Sequence, residues 1–342
     1  MIDIVIPVYN GLDFLKACVE SIEQYTTPDK DGWRIILADD NSPDKKTKAY
    51  LKKSPHRVIH NQWERGFPSN CDFAVSHTDG EFIVLLNSDT IVTPGWLSAM
   101  VSEMVDPLVA IVGSKLIFPE SKGELAGKLQ HAGVVRNNYG LPYHCFRGED
   151  PYIPEVNQRR ELNAVTFACA MIRRHVWDEV GGLDREFEGG QFEDISFCWN
   201  VRKRGYKIVY TPLSVLYHYE HGAGEEFVFK TEMKNRELLL KKWPMIGSDE
   251  HLLISLADEL EKPEIQEAIA GFMHQVRGAA MVYAWAVPDS ISPKEHREHC
   301  QRLAQIPYDN LPEPEKRWAR AFAQKWIERW RAYESFRYNN HV

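Results

Sequence analysis

The chain has 342 residues, more than one ordinary hydrophobic core requires, which points to one large domain with an appendage or to two domains. Hydrophobic residues make up 44% and charged residues 26%, an average composition that argues against wholesale disorder. The net charge of −8 gives no global pull toward nucleic acid or anionic lipid.

The first hundred residues alternate short β-rich runs with an amphipathic helical pattern. Ile2–Val8 reads as a continuous apolar strand, and Leu12–Gln24 carries a helical stripe through Phe14, Leu15, Cys18, Val19 and Ile22. Trp33–Ala38, Arg57–His60 and Phe82–Leu86 read as further strands. Continuous β-branched runs spaced by helices predict strands buried on both faces of a mostly parallel sheet, the α/β class. In open α/β sheets, ligands bind outside the carboxyl ends of the strands. That rule directs attention to Tyr9-Asn10-Gly11, Asp39-Asp40-Asn41-Ser42 and Asn87-Ser88-Asp89-Thr90, which follow apolar strands and should converge on one rim.

Between Val109 and His218 the pattern is less regular. Val134–Arg136 and Val165–Ile172 read as strands, Asp194–Arg204 as a helix, and Lys207–Tyr210 and Val215–His218 as short strands. The polar stretch Asn137–Arg160 reads as a long loop, a feature often tied to function in compact domains. After residue 248 the composition shifts: only Gly271 and Gly278 remain of the glycines, and the pattern predicts helices near 249–261, 264–286, 293–305 and 313–337. The expected division is therefore 1–248 and 249–342. Trp318, Phe322, Trp326 and Trp330 recur every four residues along one helix face, a stripe suited to packing against a neighbouring helix or the catalytic domain, or else to a homo-oligomer interface or an acceptor-binding platform.

No apolar run approaches the roughly 18–20 residues of a membrane span, and Met1–Pro7 lacks the basic start of a signal peptide. Six cysteines are scattered without a Cys-x-x-Cys pair. These features lead to the expectation of a cytoplasmic protein with reduced thiols, compatible with peripheral association at a membrane. Several signatures are absent: G-x-G-x-x-G after the first strand, a P-loop, and a G-x-S-x-G elbow.

The polar strand ends carry the positive signal, each beside a plainer reading. Asp39-Asp40 offers acceptor carboxylates, yet Asp-Asn-Ser-Pro-Asp is equally good turn sequence. Asp89 can hold a divalent cation, or cap the segment that follows it. Glu193-Asp194 opens a helix, where acids are ordinary, but an acid on a rim also serves as a general base. His218 and His221 follow a short strand and offer an imidazole for a metal, although a lone histidine is more often structural.

Taken in order, Ile4-Val5-Ile6-Pro7-Val8-Tyr9-Asn10, Asp39-Asp40-Asn41-Ser42, Leu85-Leu86-Asn87-Ser88-Asp89-Thr90, Ile172-Arg173-Arg174 through Gly181-Gly182-Leu183-Asp184, Glu193-Asp194, and Gly205-Tyr206-Lys207 to Pro212 and His218 resemble family 2 of the nucleotide-sugar glycosyltransferases, nearest its rhamnosyltransferase-like branch. The resemblance covers roughly residues 1–242. It implies a GT-A fold, here with an all-α C-terminal extension, and an inverting transfer of sugar from a nucleoside diphosphate to a hydroxyl acceptor, assisted by Mn²⁺ or Mg²⁺. The donor would be UDP- or dTDP-linked; the acceptor would be a glycan or protein, with nucleic acid disfavoured by the acidic balance. By position, the resemblance places Pro7, Val8, Tyr9, Asp39, Gly66, Asp72, Asn87, Ser88 and Asp89 at the nucleotide sugar. It assigns Asp89 and His218 to the metal, with His221 as fallback, and Asp194 to the general base with Glu193 beside it. Two departures stand out: Glu64-Arg65-Gly66-Phe67 where the family often has Asn-x-Gly-Phe, and Asp72 where Asn is usual. The competing readings are a sugar-1-phosphate nucleotidyltransferase and a non-catalytic binding or scaffold protein that kept the fold.

Overall fold

A computed structural model describes residues 1–244 except 27–31, 63–65, 138–139 and 221–224, together with Asp249, Asn310, Glu313 and Lys316. The chain divides into two compact units, Met1–Leu253 and Ile254–Val342. The aromatic stripe at 318–330, the four C-terminal helices and His221 lie outside the described residues.

The first unit begins with strand β1 (Ile2–Val8), helix α1 (Leu12–Tyr25), β2 (Trp33–Asp39), α2 (Lys45–Lys53), β3 (Arg57–His60), α3 (Phe67–Ser76) and β4 (Phe82–Leu86). Helix α1 buries Leu15, Cys18, Val19 and Ile22, the spacing of one face of a 3.6-residue period. Helix α2 starts where Asp44 caps it, its carboxylate accepting from the Thr47 N–H at 2.7 Å. Strand β1 sits between β2 and β4, all parallel, and β3 closes that edge. Because β1 is covered on both sides, Ile4, Val5 and Ile6 have no exposed surface.

The second half adds β5 (Thr90–Val92), α4 (Trp96–Glu103), β6 (Val109–Ile117), β7 (Leu129–His131), β8 (Val134–Arg136), β9 (Pro142–His144), β10 (Arg160–Leu162), β11 (Cys169–Arg173), α5 (Arg174–Val180), α6 (Glu193–Lys203), β12 (Lys207–His218) and α7 (Glu225–Lys242). The main sheet runs β10-β12-β6-β11-β4-β1-β2-β3, with β5 on β12 and β7 on β6. It is mixed rather than simply parallel: β11 runs antiparallel to both β4 and β6, while β12 returns parallel to β6.

Several expectations change in detail. Strand β11 begins at Cys169, not Val165, because the Phe167 N–H donates to Asp194 Oδ2 instead of joining a ladder. Lys207–His218 is one strand rather than two, with a register shift between Thr211 and Val215, where Pro212 cannot donate to a ladder. The long loop 137–160 contains β9, which pairs with β8. Strand β6 is buried along all nine residues yet carries Gly113, Ser114 and Lys115, which mask it in the sequence. Gly113 is required there, since a Cβ would lie 2.5 Å from the Val165 Cβ. The Lys115 ammonium is satisfied by the Pro151 carbonyl at 3.1 Å and Asn157 Oδ1 at 2.6 Å.

Antiparallel β11 has a consequence for the site. Its first residue, Cys169, stands opposite Leu86, the last residue of β4. The segment entering β11 therefore arrives at the same rim as the carboxyl ends of β1, β2 and β4.

Candidate functional site

The rim is tied together by short polar links. The Asn10 N–H donates to Ser42 Oγ at 2.9 Å, the Asp40 N–H to the Val8 carbonyl at 2.9 Å, and the Asp44 N–H to Asn10 Oδ1 at 3.0 Å. The loops after β1 and β2 are thus one structure, with Tyr9 about half exposed at its tip, Val8 buried and Pro7 partly buried. Asp39 is buried at the end of β2; its Oδ1 accepts from the Ser42 N–H at 3.0 Å and its Oδ2 pairs with His60 Nδ1 at 2.9 Å. Both Asp39 oxygens thus have partners. Asp40 Oδ2 accepts from the Gly66 N–H at 2.7 Å, which fixes the start of α3.

At the end of β4, Asn87, Ser88 and Asp89 turn the chain toward β5. Asp89 and His218 meet there, with Asp89 Oδ1 3.2 Å from His218 Nε2. Burial works to raise the Asp89 carboxyl, but His218 and the more distant Lys122 outweigh it and hold it below the ordinary carboxylate range. On the other edge of the ring, His218 Nδ1 lies 2.8 Å from Gln130 Oε1, an acceptor, so Nδ1 carries the proton. Nε2 faces Asp89: with a second proton it donates to Oδ1, the state that lowers the Asp89 carboxyl, and without it the nitrogen offers a lone pair; Asn87 Nδ2 is 3.4 Å away. A lone pair and an anionic oxygen at this separation call for a positive charge shared between them, a proton or a divalent cation. An imidazole anchored through Nδ1–H to a carbonyl oxygen is the arrangement that orients metal-binding histidines. The two side chains therefore fit a cation, with remaining positions left for oxygens of another molecule; among the described residues no group of three or more His, Cys, Asp or Glu gathers to hold one.

Glu193 and Asp194 stand at the first turn of α6, reached through Gly189, Gly190, Gln191 and Phe192, four consecutive residues with positive φ. For Gln191 and Phe192 this conformation costs about 1–3 kcal/mol each. Asn235 of α7 holds the segment: its buried Nδ2 donates to the carbonyls of Glu188 at 3.0 Å, Gly190 at 2.7 Å and Gln191 at 3.3 Å. Asp194 accepts from the backbone N–H groups of Phe167 at 3.2 Å and Ile195 at 2.7 Å, and from the Thr166 hydroxyl. Burial raises the Asp194 carboxyl above its ordinary value, and these donors restrain the rise. Glu193 is more deeply buried, and its Oε2 has no hydrogen-bond partner. Burial, then the charge of Asp194, push the Glu193 carboxyl well upward. The two acids are thereby separated in character, Asp194 oriented by donors and Glu193 left with an unpartnered oxygen.

A cleft of about 440 Å³ joins the two halves of this rim, and its lining includes Asn87, Thr166, Glu193, Asp194 and His218. Of the other expected residues, Asp89 contacts His218 without itself lining the cleft, and Pro7, Val8, Tyr9, Asp39 and Ser88 belong to the adjoining rim and not to the cleft wall. Gly66 lies against the Gly189 backbone. Asp72 is away from the cleft: it accepts from the Leu183 N–H at 2.8 Å and pairs with Arg185 at 3.3 Å, which makes it a brace for the Gly181–Leu183 turn. The cleft also holds residues that the sequence reading passed over: His144 and Arg147 from the loop after β8, and Glu232 and Arg236 from α7. The length of the loop was the available signal for the first pair; α7 carried none, because its apolar residues form no clear stripe.

Comparisons with known proteins bear on the family and the fold. The chain is 35% identical over 233 residues to the uncharacterized protein y4gI of Sinorhizobium fredii, covering 65% of this chain and 25% of the relative. It is 30% identical over 231 residues to the O-antigen biosynthesis protein RfbC of Myxococcus xanthus, covering 65% and 17%. It is 24% identical over 219 residues to the pre-mycofactocin glycosyltransferase of Mycobacterium tuberculosis, covering 64% and 42%. The chain thus spans less than half the length of these relatives. Among solved structures it superposes on GalNAc-T7 with UDP, GalNAc and Mn²⁺ with a TM-score of 0.55 and 15% identity, covering 78% of this chain and 52% of that one, a likeness of fold. Residues 3–181 match the family described as Glycosyl transferase family 2, and with the GT-A arrangement of sheet and helices the chain belongs to that family.

Proposed function

We propose that the chain transfers a sugar from a nucleoside diphosphate sugar to a hydroxyl acceptor, with inversion at the anomeric carbon. The observation that carries this reading is the placement of one oriented carboxylate, Asp194, and one anchored imidazole, His218, on the same cleft. Asp194 takes the proton of the acceptor hydroxyl as its oxygen attacks C1. The bond from C1 to the diphosphate oxygen breaks with its electron pair on the leaving group, and a single displacement inverts the centre. No second nucleophile is needed. An oxocarbenium-like centre and a departing diphosphate gain most from charge placed where it develops.

Asp89 and His218 would hold a divalent cation, and such a cation supplies electrostatic stabilisation of the leaving diphosphate. Mixed oxygen and nitrogen ligands suit Mn²⁺ somewhat better than Mg²⁺. Buried Glu193 lines the cleft beside Asp194. The rim of Pro7, Val8, Tyr9 and Asp39 is the proposed nucleotide side, where the His60 partnership of Asp39 bears on which base is read. Among the described residues five cysteines are buried and free, which supports a reducing compartment. Among the described residues no helix is long and apolar enough to cross a membrane.

The test is a donor and acceptor screen with purified protein and Mn²⁺, reading released nucleoside diphosphate. Transfer that stops with excess chelator and returns with added metal supports the reading. Full turnover in excess EDTA refutes the metal assignment, and an Asp194→Asn enzyme near wild-type turnover refutes the base.

A further inference from the structure

We propose that His144 recognises a hydroxyl of the donor sugar, donating a hydrogen bond from Nε2–H, with its tautomer set by His131. The inference rests on the transferase reading for the identity of the ligand and on the geometry below for the hydrogen bond.

His131, at the end of β7, is wholly buried, and its Nδ1 lies 2.8 Å from Nδ1 of His144 on β9. The rings meet edge to face, with centroids 4.9 Å apart. Two ring nitrogens in this contact need one proton between them. The direction of that proton follows from the far side of His131, where Nε2 faces the Thr166 N–H at 3.5 Å and so acts as acceptor. His131 then carries its proton on Nδ1 and donates it to His144. With Nδ1 occupied as an acceptor, neutral His144 carries its proton on Nε2. Burial holds both imidazoles in the neutral form: it pushes His144 down to about 4 and His131 well below the ordinary histidine range, and neighbouring Arg147 and His218 act in the same direction.

His144 lines the cleft, and among the described residues its Nε2 has no protein partner. A neutral, immobile N–H facing a cleft is suited to an oxygen of a neutral ligand. The surrounding wall agrees, since Val134, Pro142 and Phe167 offer apolar surface for the carbon face of a ring. The positive charge of Arg147 is already engaged by Glu220 at 2.8 Å. His144 is tied to the His218 side of the cleft through β7, whose Gln130 holds His218 and whose His131 holds His144. That is the side where the proposed function places the diphosphate, so the hydroxyl belongs to the donor sugar rather than to the acceptor. The pair is also linked to the base, because Thr166, whose N–H meets His131, gives its hydroxyl to Asp194.

The test is imidazole ¹⁵N NMR on the full chain, with a panel of UDP- and dTDP-sugars set against UDP and dTDP alone. The expected spectrum shows His131 protonated at Nδ1 and His144 at Nε2, neither titrating between pH 6 and 8. A sugar nucleotide shifts the His144 Nε2–H resonance, and the bare diphosphates leave it in place. His144→Phe then weakens binding of that sugar nucleotide about three- to tenfold, the worth of one neutral hydrogen bond, with affinity for the diphosphate unchanged. His144→Gln, which keeps an N–H, recovers part of the loss. The opposite tautomers, or equal shifts from the diphosphate and its sugar, overturn the proposal even if transfer itself is confirmed. A shift that appears only on adding acceptor also overturns it. The wild-type spectra decide the matter if His144→Phe does not fold, and binding decides it if no transfer is found.

Discussion

Asn235 offers the sharpest test of how the proposed general base, Asp194, is held. Its amide group donates to three carbonyls of the segment that precedes Glu193, yet it belongs to α7 and does not line the cleft. Replacing it with leucine keeps the approximate volume and removes both N–H donors. One amide makes about two full hydrogen bonds, so the loss is about 1–3 kcal/mol at 0.5–1.5 kcal/mol each. The backbone held in place stores a comparable amount, about 2–6 kcal/mol for Gln191 and Phe192 together. The restraint and the strain are therefore of similar size, and removing the restraint lets residues 189–192 relax toward negative φ. Asp194 directly follows this segment and Glu193. A displacement of about 1 Å is enough to cost about 10² in rate, so Asn235→Leu is expected to lower kcat about a hundredfold while leaving KM for the donor within a factor of about two. Steady-state kinetics at saturating metal measure this, with a thermal melt alongside to confirm folding. A folded Asn235→Leu enzyme with unchanged kcat would refute the claim that α7 positions the base.

Further expectations concern the neighbouring groups. Gln130→Met removes the acceptor that anchors His218 and should weaken the apparent Mn²⁺ affinity about 10- to 100-fold, with activity regained at high metal; a metal titration of initial rates checks it. Glu193 binds its proton more tightly in the folded chain than in the unfolded one, so its contribution to stability falls as pH rises above the unfolded carboxyl range. Glu193→Gln should therefore flatten the pH dependence of the melting temperature between pH 5 and 8 and be the more stable protein at the alkaline end. It should also keep most activity, whereas Asp194→Asn keeps donor binding and loses about 10²–10⁴ in turnover. Gly182→Ala places a Cβ 2.5 Å from Asp72 Oδ1 at a φ of +83° and should cost about 1–3 kcal/mol by chemical denaturation without altering donor KM.

The rim proposed as the donor side was legible because it lies at ends of regular elements. Runs such as Ile2–Val8 and Phe82–Leu86 announce buried parallel strands, and the polar residues that follow them fall on one rim by geometry alone. The acid pair and His218 stood out in the sequence as a helix-opening pair and a histidine after a short strand, their expected roles came from the resemblance, and the structure gives the pair distinct environments that periodicity does not encode. The hidden parts share a different cause. β6 is a central strand whose Gly113 and Lys115 answer to particular neighbours, Val165 and the 151–157 loop. Likewise Gln130, His131 and His144 act through contacts across loops, and α7 is recognised by one buried amide. Such residues are specified by tertiary partners, so no local pattern marks them.

The reversed direction of β11 sets a length scale for the chemistry. Its pairing with β4 places Cys169 opposite Leu86, and the turn that bears Asp89 leaves β4 just as the segment that binds Asp194 enters β11. The ladder between them works as a ruler. A slip of one residue would advance one group by about 3.3 Å and turn alternate side chains to the opposite face. Ala170, Met171 and Ile172, buried between β4 and β6, hold that ruler at a single setting. Chimeras that exchange residues 1–89 between relatives should then inherit a new donor preference with the reach of the base unaltered, provided the crossover leaves the β4–β11 register intact.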